Sequence, residues 1–151
     1  MTAQASRTTV VASPPGAVWA VLADFGALAR WVGEVDHSCL LHDGPPGTGS
    51  VRRVQVGRTT LLETVTAWSP PENLAYDITG LPPVLRHVAN DWRLRAVAGG
   101  TEVTVTTSVD AGPRPPQRLV ARLAVLRLAT TSAAMLAGLA AALAPGDAVR
   151  A

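Results

Sequence analysis

Few side chains in this sequence could work chemically on a small molecule: His37, Arg52, Glu63, Tyr76 and Asn90, each within two residues of a Val or Leu. A histidine near a carboxylate can move protons at neutral pH, and an arginine can stabilise an enolate or a carboxylate. Together they would suit proton transfer at a small molecule that develops negative charge. Each also has a plainer use. His37 would serve as a hydrogen-bonded structural residue, Arg52 and Glu63 as an internal salt bridge that shapes the fold, and Tyr76 as core or pocket wall.

Other chemistries lack their residues. Cys39 is the single cysteine, so an intrachain disulfide and a Cys-based metal site are both excluded. His37, His42 and His87 do not have the spacing of a zinc site, so no metal is expected. A Gly-rich phosphate loop and a Gly-x-Ser-x-Gly elbow are both missing, which argues against a nucleotide cofactor and against serine-hydrolase chemistry. The chain has no Lys, its arginines are dispersed, and its formal net charge is +2, so nucleic acid is not an expected partner.

These candidates must be positioned by one domain spanning residues 1–151, because 151 residues enclose one core and 48% hydrophobic with 16% charged residues is the composition of a folded chain. Met1 to Arg7 lacks the pattern of a signal peptide, which suggests a cytoplasmic location. From Leu128 to Gly146 no residue is charged, which approaches the length of a membrane span. That stretch is mostly Ala with Thr130, Thr131 and Ser132, and it continues a helix bearing Arg118, Arg122 and Arg127, so no membrane span is expected.

Hydrophobic spacing and turn residues divide the chain further. Arg7 to Ala12 is a β-branched strand, ended by Ser13-Pro14-Pro15, with Ser13 as N-cap of a short helix through Asp24 and a second short helix from Ala27 to Trp31. Six strands follow: Val35 to Leu41, Ser50 to Val56, Thr59 to Trp68, Leu74 to Thr79, Val88 to Val97 and Glu102 to Asp110. Their short connections favour antiparallel pairing. A long helix from Gln117 to Leu143 closes the chain, with Leu119, Leu123, Leu126, Met135, Leu136, Leu139 and Leu143 among its apolar positions. Its apolar face must be buried, and the sheet is the available partner, so the sheet has to curve around it.

Alternation assigns some side chains to the inner face. Val103, Val105, Thr107 and Val109 share one face, and Val88, Asn90, Trp92 and Leu94 another, because Asp91, Arg93 and Arg95 belong in water. Val35, His37, Cys39 and Leu41 also share a face, which would set an imidazole among apolar neighbours.

The chain resembles the START-like, or polyketide cyclase and dehydrase, superfamily, which includes birch-pollen-allergen-like proteins and plant abscisic acid receptors. The residues that carry the resemblance are Ser13-Pro14-Pro15 with Val18-Trp19 and Asp24-Phe25, then Trp31, Gly49 with Arg52, Glu63 with Val65, Pro70-Pro71 before Leu74 to Ile78, and Gly100 to Val103. The resemblance implies an α+β helix-grip fold: a seven-stranded curved antiparallel sheet around a long C-terminal helix, with two short helices between strands 1 and 2. It implies a cavity between sheet and helix for a hydrophobic small molecule, held by a monomer or homodimer without a cofactor. It places Glu63 inside, with Arg52, Val54 and Val56 on one strand and Leu74, Tyr76 and Ile78 on another. His37 would match a basic position that meets the ligand in the abscisic acid receptors, and His87 would follow a loop like the family's cavity-mouth gate. The expected catalytic set is therefore His37, Glu63 and Arg52, and the expected ligand contacts are Tyr76, Asn90, Trp92, Val54, Ile78, Val105 and His87. The same cavity would also suit a carrier or sensor of a lipid or hydrophobic metabolite.

Overall fold

A computed structural model describes residues 2–144. The elements run β1 (Ala3–Val11), α1 (Pro15–Ala23), a 3-10 helix (Phe25–Arg30), β2 (His37–Leu40), β3 (Val51–Val56), β4 (Thr59–Ser69), β5 (Asn73–Thr79), β6 (His87–Val97), β7 (Gly100–Asp110) and α2 (Pro115–Ala142). All seven strands form one antiparallel sheet in the order β1-β7-β6-β5-β4-β3-β2. This is the expected helix-grip architecture. Chain neighbours pair from β2 to β7, through turns of two or three residues except for the longer connections 41–50 and 80–86, and β1 alone reaches across to pair with β7, so the two short helices span from one edge of the sheet to the other. The register of β4 on β5 shifts between Val65 and Ala67, an irregularity of the kind that bends a strand.

Strict alternation explains how β7 anchors the core. Thr101, Val103, Val105, Thr107 and Val109 are buried, while the residues between them remain partly exposed. Val103 and Val105 meet Tyr76, Trp92 and Leu94 from neighbouring strands, and Phe25 and Leu28 from the 3-10 helix complete the same cluster.

Three expectations about local structure change. The first strand starts at Ala3 rather than Arg7, because all nine residues through Val11 pair with β7. Ser13 does not cap α1: the N-cap is Pro14, and the Ser13 carbonyl instead accepts a hydrogen bond from Thr101 Oγ1 at 2.7 Å. The third change concerns α2, whose buried line is Ala121, Val125, Ala129, Ser132, Met135, Leu136 and Leu139. Leu119, Leu123 and Leu126 point outward at 58%, 60% and 57% exposure. The neighbours Arg118, Arg122 and Arg127 account for the choice, since turning that leucine line toward the sheet would desolvate cations with no partner there. The uncharged stretch from Leu128 is thus the second half of a helix packed on β1 and β7; Pro145 and Gly146 at its end lie outside the described residues.

Candidate functional site

Arg52 on β3 and Glu63 on β4 are cross-strand partners, so the register alone sets them side by side on the inner face. Arg52 Nε donates to Glu63 Oε1 at 2.6 Å, with both side chains buried. Arg52 Nη1 donates to the Phe25 carbonyl at 3.0 Å, and the guanidinium carbon sits 3.9 Å from the Phe25 ring centroid and 4.8 Å from that of Tyr76. The ion pair is therefore enclosed by two aromatic faces, with strong pairing and little water.

A second polar group lies beside it. Tyr76 Oη accepts from Asn90 Nδ2 at 3.3 Å and from Trp92 Nε1 at 3.2 Å. Asn90 Oδ1 accepts from Thr107 Oγ1 at 2.7 Å, and Thr107 Oγ1 lies 3.1 Å from Ser132 Oγ on α2. Because the Thr107 hydrogen is committed to Asn90, Ser132 is the donor in that contact, and its one hydrogen is shared with the Leu128 carbonyl at 3.3 Å. The hydrogen-bonded line thus crosses β5, β6 and β7 and ends on the helix. Burial pushes the Tyr76 phenol above its ordinary range, and the Glu63 charge adds to this; Arg52 and the hydrogen bonds from Asn90 and Trp92 act the other way.

Between this sheet face and α2 is a cavity of about 80 Å³. Glu63, Asn90, Thr107, Thr131 and Ser132 give it polar groups, and the remaining wall is Leu61, Ile78, Leu81, Leu128 and Met135. Such a mixture of apolar wall and a few convergent polar groups is the usual make-up of a small-molecule site. None of the side-chain hydrogen bonds of the described residues goes to Glu63 Oε2, so the carboxylate keeps an acceptor unused beside the cavity.

The expected site residues separate into those the fold gathers and those it does not. Arg52, Glu63, Tyr76 and Asn90 are brought together, and Ile78 joins Glu63 and Asn90 in the cavity wall. Val54, Trp92 and Val105 are buried at 1 to 2% exposure or less, packed in the core rather than along this cavity. His37 is a correction: it is exposed, and Ser38 and Leu40 turn toward the 3-10 helix instead. Ser38 Oγ donates to the Gly26 carbonyl at 2.8 Å and accepts from Ala29 N at 2.9 Å. With Ser38 fixed inward, His37 and Cys39 must face out. Val35 precedes the strand, in a turn closed by its N–H to the Val32 carbonyl, so its burial does not extend into the strand's alternation. His87 is a second correction. It is exposed at the start of β6, with Nε2 2.9 Å from Asp77 Oδ1 on the outer face, while Leu81 of the same connection reaches the cavity.

Thr107, Thr131, Ser132 and Met135 were missing from the expected set. The available signal was Ser132 within an alanine-rich run, since a buried hydroxyl in such a helix needs a partner across the interface. Among the described residues no cluster of His, Cys, Asp and Glu is placed to hold a metal ion.

Solved structures share this fold. The Zhui aromatase/cyclase from Streptomyces sp. R1128 is 23% identical and superposes with a TM-score of 0.74 over 95% of this chain and 94% of that one. A protein of Nitrosospira multiformis gives 20% identity and a TM-score of 0.76 over 96% and 99% of the two chains. The major latex-like protein 151 of Panax ginseng has the same fold at 9% identity, with a TM-score of 0.72 over 96% and 99%. No curated protein matches the sequence. Residues 2–144 match the family model described as polyketide cyclase / dehydrase and lipid transport, and the chain belongs to that family.

Proposed function

We propose that this domain binds a small, largely apolar molecule bearing at least two carbonyl groups, and carries out cofactor-independent cyclisation or dehydration of a polyketide-like or aromatic metabolite. The observation that carries the reading is the cavity lined by Glu63, whose Oε2 takes none of the side-chain hydrogen bonds of the described residues, and by Asn90, Thr107, Thr131 and Ser132, in a wall otherwise of Leu, Ile and Met. Glu63 takes a proton from a carbon next to a carbonyl, the enolate closes on a second carbonyl of the same molecule, and the proton passes to the new alkoxide before water is lost. Asn90 Nδ2, which donates one hydrogen to Tyr76 and keeps the other, orients a carbonyl, and Arg52 holds the carboxylate in place.

A volume of about 80 Å³ equals that of two to three waters at roughly 30 Å³ each, so a polyketide-sized guest needs the site to widen. Met135, an unbranched and adaptable side chain, and Leu81, on a connection at the rim, supply the movable part of the wall.

A second reading, a carrier or sensor of a lipid or hydrophobic metabolite, is favoured by the Arg52 guanidinium. Its bonds to Glu63 and Phe25 and its two ring contacts leave it little to offer a developing charge, and the exterior position of His37 removes an imidazole from the cavity. Native mass spectrometry of the isolated protein, followed by incubation with candidate poly-β-ketones, separates the two. Conversion by the wild type that is lost in Glu63→Gln and kept in His37→Ala supports the enzyme. An unaltered apolar ligand with no turnover supports the carrier, and failure to bind any apolar molecule defeats both.

A further inference from the structure

The outward face of α2 has a pattern that its packing on the sheet does not explain. Leu119, Leu123 and Leu126 are exposed, and so are Thr130 and, beyond it, Ala134, Ala137 and Ala141. At 3.6 residues per turn these seven positions fall within an arc of about 80°, so they form one line along the helix. Their spacings read 4, 3, 4, 4, 3, 4, the same in both directions from Thr130. Size is distributed in the opposite sense: each leucine on one side of Thr130 has an alanine at the mirrored position on the other.

We infer that this face binds a second copy of the chain, with the two α2 helices antiparallel and the two-fold axis passing beside Thr130. In that arrangement Leu119 meets the partner's Ala141, Leu123 the partner's Ala137 and Leu126 the partner's Ala134, so each large side chain enters the space above a small one. A parallel pairing would crowd leucine on leucine at one end and leave a gap between alanines at the other.

Charge points the same way. α2 has no acidic residue, and its cations Arg118, Arg122 and Arg127 all lie on the leucine side of Thr130. Antiparallel pairing separates each from its own copy by roughly 36, 24 and 9 Å along the axis at 1.5 Å per residue, the first two well beyond the screening length of about 8 Å at physiological salt. Parallel pairing would set each arginine beside itself. A membrane surface fits less well, because an alanine half gives a bilayer little apolar area to bury. The strip is about 33 Å long and one helix wide, at the small end of specific interfaces, so the dimer is reversible and concentration-dependent.

Cysteine cross-linking tests the geometry, in a Cys39→Ser background because Cys39 is exposed. Under mild oxidation Thr130→Cys, which lies at the axis, should cross-link to itself. Leu119→Cys should not do so alone, but should cross-link when mixed with Ala141→Cys. Sedimentation equilibrium of the unmodified chain should show a monomer–dimer equilibrium, weakened roughly tenfold or more by Ala137→Arg, a change at an exposed position whose fold is checked by circular dichroism. Self-cross-linking of Leu119→Cys would replace the antiparallel pairing with a parallel one. A chain that is monomeric at every concentration would overturn the proposal, and if it also floated with anionic phosphatidylserine vesicles it would assign the face to a membrane.

Discussion

Glu63 and Arg52 face each other across β3 and β4 with Oε1 and Nε 2.6 Å apart, and neither side chain is more than 7% exposed. For a pair so enclosed, the cost of removing water from two charges is balanced by their attraction only while both are present. Replacing one alone, as in Glu63→Leu or Arg52→Met, leaves a buried charge and should cost about 3–5 kcal/mol. The double variant should be more stable than either single one. Urea denaturation of the three proteins checks this, and a double variant as unstable as the sum of the singles would show that the two side chains act independently rather than as a pair.

Tyr76 is the only tyrosine in the chain, so its ionisation can be followed by ultraviolet absorbance without overlap from another phenol. Burial, then Glu63, raise it above the ordinary value of 10.0, so the unfolded chain loses this proton at a lower pH than the folded one. Its contribution to stability is therefore complete below pH 10.0 and is lost as pH rises from there toward the raised folded value. The tyrosinate signal should lag behind that of free tyrosine and then rise together with alkaline unfolding. A simple titration in the ordinary range, with the near-ultraviolet circular dichroism intact, would mean that Tyr76 is solvated.

The parts of the site that were legible in the sequence are those governed by alternation between charged and apolar residues. On β6 the Asp91, Arg93 and Arg95 row leaves no choice, and Asn90 and Trp92 turn inward as expected. On β7 the valine row does the same. β2 is only four residues long, and its inner face is set by Ser38 bonding to the 3-10 helix, a tertiary contact that the local pattern of Val35, Cys39 and Leu41 does not contain. On the helix, Met135, Leu136 and Leu139 are buried as their apolar character implies, while Leu119, Leu123 and Leu126 are exposed for a related reason. Leucines marked its apolar positions, but the sheet takes the small residues Ala121, Ala129 and Ser132, which allow close approach, and leaves the leucines next to the arginines outside. With Ser132 facing the sheet, the helix contributes a hydroxyl to the site that leucine spacing could not indicate.

Close approach of α2 also predicts the behaviour of Gly138. A β-carbon at this position would collide with the Trp31 carbonyl, which is backbone and cannot rotate away. In an unpacked helix Gly→Ala would stabilise by about 1 kcal/mol. Here overpacking, typically about 1–3 kcal/mol, should exceed that gain, so Gly138→Ala should lower the urea midpoint. A rise in midpoint would show that helix and Trp31 can separate at little cost.

On the proposed reading, Met135 limits the size of guest that the cavity can take. It is 6% exposed, it lines the cavity opposite Glu63 and Asn90, and it belongs to the core cluster beside Leu136 and Leu139. Met135→Ala should cost about 2–5 kcal/mol by removing buried atoms and leaving space behind. That space joins the existing cavity instead of forming a separate void, so an apolar ligand can fill it and return part of the loss through linkage. The expected outcome is a lower urea midpoint without ligand, together with tighter binding of bulkier apolar probes such as longer fatty acids or polycyclic aromatics, and a larger midpoint increase on adding them than in the wild type. Leu139→Ala is the control: fully buried on the same helix but absent from the cavity wall, it should be destabilising without a gain for bulky probes. Equal gains in both variants would mean that probes bind to loosened core, and the cavity beside Glu63 would lose its standing as the ligand site.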